Sequence, residues 1–202
     1  HAAVFRLNTK TGELALFSVG GEDEHFRIPN FPVIDHVREC LYVSDSYGFR
    51  QTGPGVWKID LKTGKGILWY KEPMNFANGM ALALDGSALY VAETFGRQVS
   101  RIPILENGEA GKKEVVATLD ALPDGLALDA QGNIYVCCYE PSLIYRIRAD
   151  HRKTELLIHD PEAHTFCHPT NCAFLGKDLY TANLGRWHIT KFHVGVEGAP
   201  LI

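Results

Sequence analysis

Four side chains that carry a free oxygen recur along this chain at a nearly constant interval. Asn30, Asn78, Asp124 and Asn171 lie 48, 46 and 47 residues apart, each at the threshold of a short apolar stretch. Carboxamide and carboxylate oxygens are the ligands that hard cations such as calcium and magnesium prefer, with water completing the coordination. One carboxylate among amides leaves a divalent ion partly unneutralised, so the ion could act as a Lewis acid on a carbonyl or phosphoryl oxygen. That chemistry requires the four positions to converge on one axis. The plainer alternative is that Asn78-Gly79 and Asp124-Gly125 are turn dipeptides that start strands.

The elements that would bring them together are strands. In Phe76–Thr94, Asn78-Gly79 stands just ahead of a small apolar strand (Met80 to Leu84), a turn at Asp85-Gly86 follows, and a second strand runs from Ala88 to Ala92. The unit recurs, with Tyr42, Tyr90, Tyr135 and Tyr180 in the second strands at spacings of 48, 45 and 45. Third strands of the form apolar-X-basic-apolar follow at Val56 to Asp60, Val99 to Ile102, Ile144 to Ile147 and Ile189 to Phe192. Fourth strands are expected at Glu13 to Phe17, Lys65 to Tyr70, Glu114 to Thr118 and Thr154 to His159. Four strands in a period in the forties is the signature of a β-propeller. The expected fold is all-β, with four-stranded antiparallel blades in a single propeller domain over residues 1–202. About four and a half blades are expected in this chain, with one to one and a half N-terminal blades expected to lie outside it. Val194 to Ile202 is expected at the outer edge of the last blade.

Composition narrows the function classes. With 46% hydrophobic and 22% charged residues in 202, the chain can build a sizeable core and is not a disordered segment. A net charge of −4 does not favour nucleic acid or an anionic membrane, and no apolar run reaches membrane-spanning length. Cys40, Cys137, Cys138, Cys167 and Cys172 are odd in number and irregular in spacing, so they read as reduced structural thiols. No Gly-X-Ser-X-Gly, P-loop or dinucleotide fingerprint appears, and Ser46 and Ser100 have no evident base.

At Phe76-Ala-Asn-Gly79, Leu122-Pro-Asp-Gly-Leu-Ala-Leu-Asp129, Pro169-Thr-Asn171 with Leu184-Gly-Arg-Trp187, and Gly195–Leu201, the sequence resembles the gluconolactonase/regucalcin family, also called the senescence-marker-protein family. The resemblance implies a six-bladed propeller with one divalent cation in its channel, calcium first, with magnesium, zinc or manganese as alternatives. Asn78 and Asp124 match the family's asparagine and aspartate metal ligands. Asn30 matches a substrate-side asparagine, although the family often has Asn-Asp where this chain has Asn30-Phe31. Asn171 falls in the last blade's Pro-Thr-Asn segment. The family's remaining ligand is a glutamate in a Glu-Gly-Pro segment, which this sequence lacks.

The activity so implied is metal-dependent opening of a small-molecule lactone, with Asp124 as ligand and base and with Asn30, Asn171 and His168 toward the substrate. The alternatives are a non-catalytic calcium- or partner-binding propeller, and a phosphotriesterase using the same site. The expected compartment is the cytoplasm, with the periplasm or secretion left open; oligomeric state is not legible. Asp45, Glu93, Cys138 and Asn183, late in the second strands, are expected to bond backbone between blades. Tyr139 and Trp187 read as pocket rim or aromatic core, and Arg101, Arg146 and Lys191 as solvated.

Overall fold

The computed structural model describes residues 2–151 and 153–200. Among them are seventeen strands and no helix, hence none long and apolar enough to cross a membrane. The chain divides into two compact units, His1–Ala77 and Asn78–Ile202.

The first unit holds the hairpin β1 (Val4–Leu7) and β2 (Leu14–Ser18) and a four-stranded meander, β3 (Pro29–Asp35), β4 (Cys40–Asp45), β5 (Thr52–Asp60) and β6 (Gly66–Asn75). Its core gathers Phe26, Leu41, Val43, Trp57 and Ile59.

The second unit holds two further four-stranded sheets. One is β7 (Ala77–Leu82), β8 (Ala88–Glu93), β9 (Gln98–Pro103) and β10 (Glu114–Thr118). The other is β11 (Leu122–Leu128), β12 (Ile134–Glu140), β13 (Leu143–Ile147) and β14 (Thr154–His159). A three-stranded sheet follows: β15 (Pro169–Leu175), β16 (Asp178–Asn183) and β17 (Ile189–His193). All the registered pairings are antiparallel. Three complete blades, a half-blade before them and an incomplete one after them reproduce the repeat read from the tyrosine spacing.

Why β12 is continuously apolar follows from its place in the unit. Successive side chains on a strand point to opposite faces. Ile134, Val136 and Cys138 enter a core shared with β8 and β9 residues Ala88, Ala92 and Val99. Tyr135 and Cys137 enter a second core with Phe166, Cys172 and Leu179. Both faces are covered, so no polar alternation is possible. The five cysteines are all free, as their spacing implied.

Several expectations are corrected. Asn78-Gly79 lies inside β7, which starts at Ala77, rather than ahead of the strand. The C-terminal stretch does not extend the last blade's outer edge. Gly198 instead bridges Asp129, and Ala199 donates its N–H to the Leu128 carbonyl, because backbone groups beside the β11–β12 turn are open to it. Leu201 and Ile202 lie outside the described residues. Arg146 and Arg101 are not simply solvated: Arg146 donates to Glu155 at 2.7 Å, and Arg101 approaches Glu114 at 3.7 Å. These partners stand opposite on the next strand, where opposite charges attract. Trp187 is fully exposed and belongs to no core.

Candidate metal and hydrolytic site

Three of the four recurring polar residues sit on or beside irregular backbone. In β3 the ladder skips between Pro29 and Pro32, in β11 between Pro123 and Leu126, and in β15 between Pro169 and Asn171. Each break contains or adjoins the polar residue. A bulge re-aims the side chain it carries and releases it from the strict alternation of the strand.

The glycines that follow two of these residues have a different task from turning the chain. Neither Gly79 nor Gly125 has the positive φ of the hairpin glycines Gly86 (68°) and Gly132 (81°). What they allow is close approach. A Cβ on Gly79 would fall 2.5 Å from the Gly125 Cα, and a Cβ on Gly125 would fall 2.5 Å from Asn171 Oδ1 and 2.6 Å from the Asn171 Cα. Real side chains do not pack at such distances against backbone. The starts of β7, β11 and β15 therefore crowd together through Asn78-Gly79, Asp124-Gly125 and Thr170-Asn171. The turn-dipeptide alternative is overturned for these two pairs, while Asp85-Gly86 does turn a hairpin, with the Ser87 N–H donating to Asp85 Oδ1 at 2.9 Å.

Asn78 is buried, and its amide nitrogen is the end that is held. Nδ2 donates to Thr94 Oγ1 at 3.1 Å, and Thr94 Oγ1 donates to the Pro123 carbonyl at 2.8 Å. The carboxamide also bonds the Asp124 carboxyl. Asn78 and Asp124 are thus within reach of one ion. Burial pushes the Asp124 carboxyl up to about 7, and the hydrogen bond from Asn78 offsets only part of that rise. An ionised Asp124 would be a half-buried charge facing a neutral amide, an arrangement that favours a cation beside it.

Among the described residues, no three His, Cys, Asp or Glu side chains cluster closely enough to hold a metal. A cation at this position would therefore be held by the Asp124 carboxylate, the Asn78 amide oxygen and water. That donor set suits calcium or magnesium better than zinc or another ion that prefers nitrogen and sulfur.

The other expected residues are placed as follows. Asn171 Oδ1 accepts the Cys172 N–H at 2.8 Å. His168 Nδ1 lies 2.8 Å from the Tyr139 carbonyl and 3.2 Å from Glu140 Oε2, and its ring stacks on Tyr139 at 4.6 Å. A carbonyl can only accept, so Nδ1 carries a proton. Asn30 belongs to the first unit, where it is exposed and donates Nδ2 to Ser46 Oγ at 3.0 Å; Ser46 in turn donates to the Ala77 carbonyl at 2.8 Å.

The residues expected to tie blade to blade do otherwise. Asp45 accepts the Arg27, Ile28 and Tyr47 N–H groups and Trp57 Nε1 around its own sheet. Glu93 accepts Ser100 and Lys113, and Asn183 bonds Thr181 and Thr190. Cys138 bears a thiol directed at the Val136 carbonyl, 3.8 Å away within its own strand. The ties are made one residue later, by Ser46 and Thr94. Sequence reasoning passed over both, although each follows its asparagine by 16 residues and the two are 48 apart, matching Asn30 and Asn78.

The profile of the family described as "SMP-30/Gluconolactonase/LRE-like region" matches residues 1–184. The chain belongs to this family. Its regucalcin relative from Gallus gallus is 25% identical over 116 residues, which is 55% of this chain but 38% of the regucalcin. The chain thus spans well under half the length of that curated relative. An X-ray structure assigned to the gluconolactonases has a TM-score of 0.80 at 19% identity, covering 98% of this chain and 69% of the other. A structure described as the calcium-binding protein regucalcin from Agrobacterium tumefaciens has a TM-score of 0.71 at 19% identity, covering 98% and 70%. At these identities the likeness shows the fold, which is the β-propeller of the gluconolactonase-like family.

Proposed function

We propose that this gluconolactonase-like chain carries the hydrolytic site of a lactonase, with Asp124 as its base. The observation that carries the reading is the contact of Asn78 with a half-buried Asp124 whose carboxyl is pushed up to about 7. Burial raises this carboxyl in the metal-free site, and a cation beside it would lower it again, so Asp124 would act as a modest base. A divalent cation held by Asp124, Asn78 and water would supply Lewis-acid polarisation of the lactone carbonyl. Asp124 accepts the proton of the attacking water and returns it as the ring oxygen leaves, yielding the open hydroxy acid. Asn78 is held in one orientation, so its amide oxygen would meet a cation without reorganisation. Asn171 and His168 would then bond substrate hydroxyls.

The test is a pH-stat assay of sugar and aliphatic lactones, with calcium, magnesium, manganese or zinc added to chelated protein. The expected result is turnover that a chelator abolishes and one of these metals restores. Turnover indifferent to chelation overturns the metal-dependent reading.

A second reading is favoured by the description of the Agrobacterium tumefaciens structure as calcium-binding: a propeller that binds calcium without catalysis. Stoichiometric calcium in calorimetry, with no hydrolysis across the lactone and phosphotriester panel, would select it.

A further inference from the structure

The buried hydroxyl of Thr94 has only one consistent set of roles. A carbonyl oxygen carries no proton, so the 2.8 Å contact with Pro123 requires the hydroxyl to donate. Its single proton spent, Thr94 Oγ1 can only accept from Asn78, 3.1 Å away. The Asn78 atom facing it must be the amide nitrogen, which leaves the amide oxygen facing elsewhere. The same hydroxyl anchors the carbonyl immediately before Asp124. One side chain thereby fixes the orientation of Asn78 and the backbone that carries Asp124.

From this we infer that Thr94 is a positioning residue of the site, selecting the amide orientation in which Asn78 offers its oxygen to a cation. The inference rests on the metal-site reading above. Two observations support it independently. Ser46 makes the same two bonds in the first unit, to Asn30 and to the Ala77 carbonyl, so the device is a repeated one. The equivalent position in the next blade is Tyr139, 45 residues after Thr94, and there the polar residue is Asp124. An ionised carboxylate has no proton to give to a hydroxyl that can only accept, so the device has no use in that blade. Tyr139 instead accepts from His168 through its carbonyl.

The test compares Thr94→Val, which keeps the shape and removes the hydroxyl, with Thr94→Ser, which restores the hydroxyl, and with Asn78→Ala. The first readout needs neither metal nor turnover: the side-chain amide protons of Asn78 in a nitrogen–proton correlation spectrum. Wild type and Thr94→Ser should show two well-separated, exchange-protected protons. Thr94→Val should shift one of them and remove its exchange protection, with strand amides elsewhere in β7 unmoved. The second readout is calcium or manganese affinity by calorimetry, expected to fall about 10- to 100-fold in Thr94→Val and to recover in Thr94→Ser, the usual cost of losing a group that orients a ligand. An Asn78 amide spectrum unchanged by Thr94→Val overturns the inference. So does an affinity within twofold of wild type in a protein whose Asn78→Ala variant has lost binding. If wild type binds no metal but the amide spectrum responds as expected, the orientation stands as a property of the fold and the metal-site reading fails.

Discussion

The blade carrying Asn78 and the blade carrying Asp124 use the same strand plan to opposite ends. In the first, a hydroxyl at the end of the second strand clamps the amide, and the polar side chain is fully buried. In the second, that hydroxyl is replaced by an aromatic ring, the polar residue is a half-buried acid, and its proton affinity is raised. One blade therefore fixes a neutral amide in space, and the other carries a titratable group with raised proton affinity. What separates them is a single position in the repeat, Thr94 against Tyr139, together with the choice of amide or carboxylate.

The most severe way to break this contrast is to make both sides neutral. Asp124→Asn should lower lactone turnover by about 10²- to 10⁴-fold, the usual contribution of a general base, in steady-state assays with saturating metal. Retained turnover would remove Asp124 from the chemistry.

Separating the two blades comes next. Gly79→Ala would drive a Cβ into the Asp124 carbonyl and the Gly125 Cα, and should cost about 1–3 kcal/mol in urea unfolding, as overpacking does.

A third measurement follows the acid itself. Its folded value of about 7 lies above the unfolded carboxylate value of 3.8, so between these limits the folded state binds more protons than the unfolded state. Metal-free protein should therefore lose stability as pH rises from about 4 to 7, by at most about 1.4 kcal/mol per pH unit for one proton. The contribution is fully present below the unfolded value and gone above about 7. Asp124→Asn should flatten that slope, and chemical denaturation at several pH values checks it. Metal affinity should run the other way, rising with pH until Asp124 is ionised.

The smallest effect would come from grafting one blade's device onto the other. Tyr139→Thr places a hydroxyl in the Asp124 blade and should lower the acidic limb of the pH–rate profile by about half a unit if it donates to the carboxylate. An unmoved limb would mean that the hydroxyl and the acid do not meet.

Much of this was legible in the sequence because strands bury alternate residues. The tyrosine spacing and the apolar-X-basic-apolar segments located three complete blades, and β10 and β14 run over the expected residues. Other features were not legible. A glycine that turns a hairpin and one that admits a neighbouring backbone have the same letter, and only φ and the surrounding atoms separate Gly86 from Gly125. Ser46 and Thr94 carry no chemical signature, since their importance lies in which atoms they must donate to. The C-terminal segment was misplaced because its partners are backbone groups at another turn, which side-chain patterning does not reveal.

The alternating allegiance of β12 has a consequence for how the second unit comes apart. A strand that is the party wall of two cores cannot be released by melting either neighbour alone. Its amides, among them those of Tyr135, Val136 and Cys137, should be the last in the molecule to exchange with deuterium, and they should do so only when both rooms collapse together.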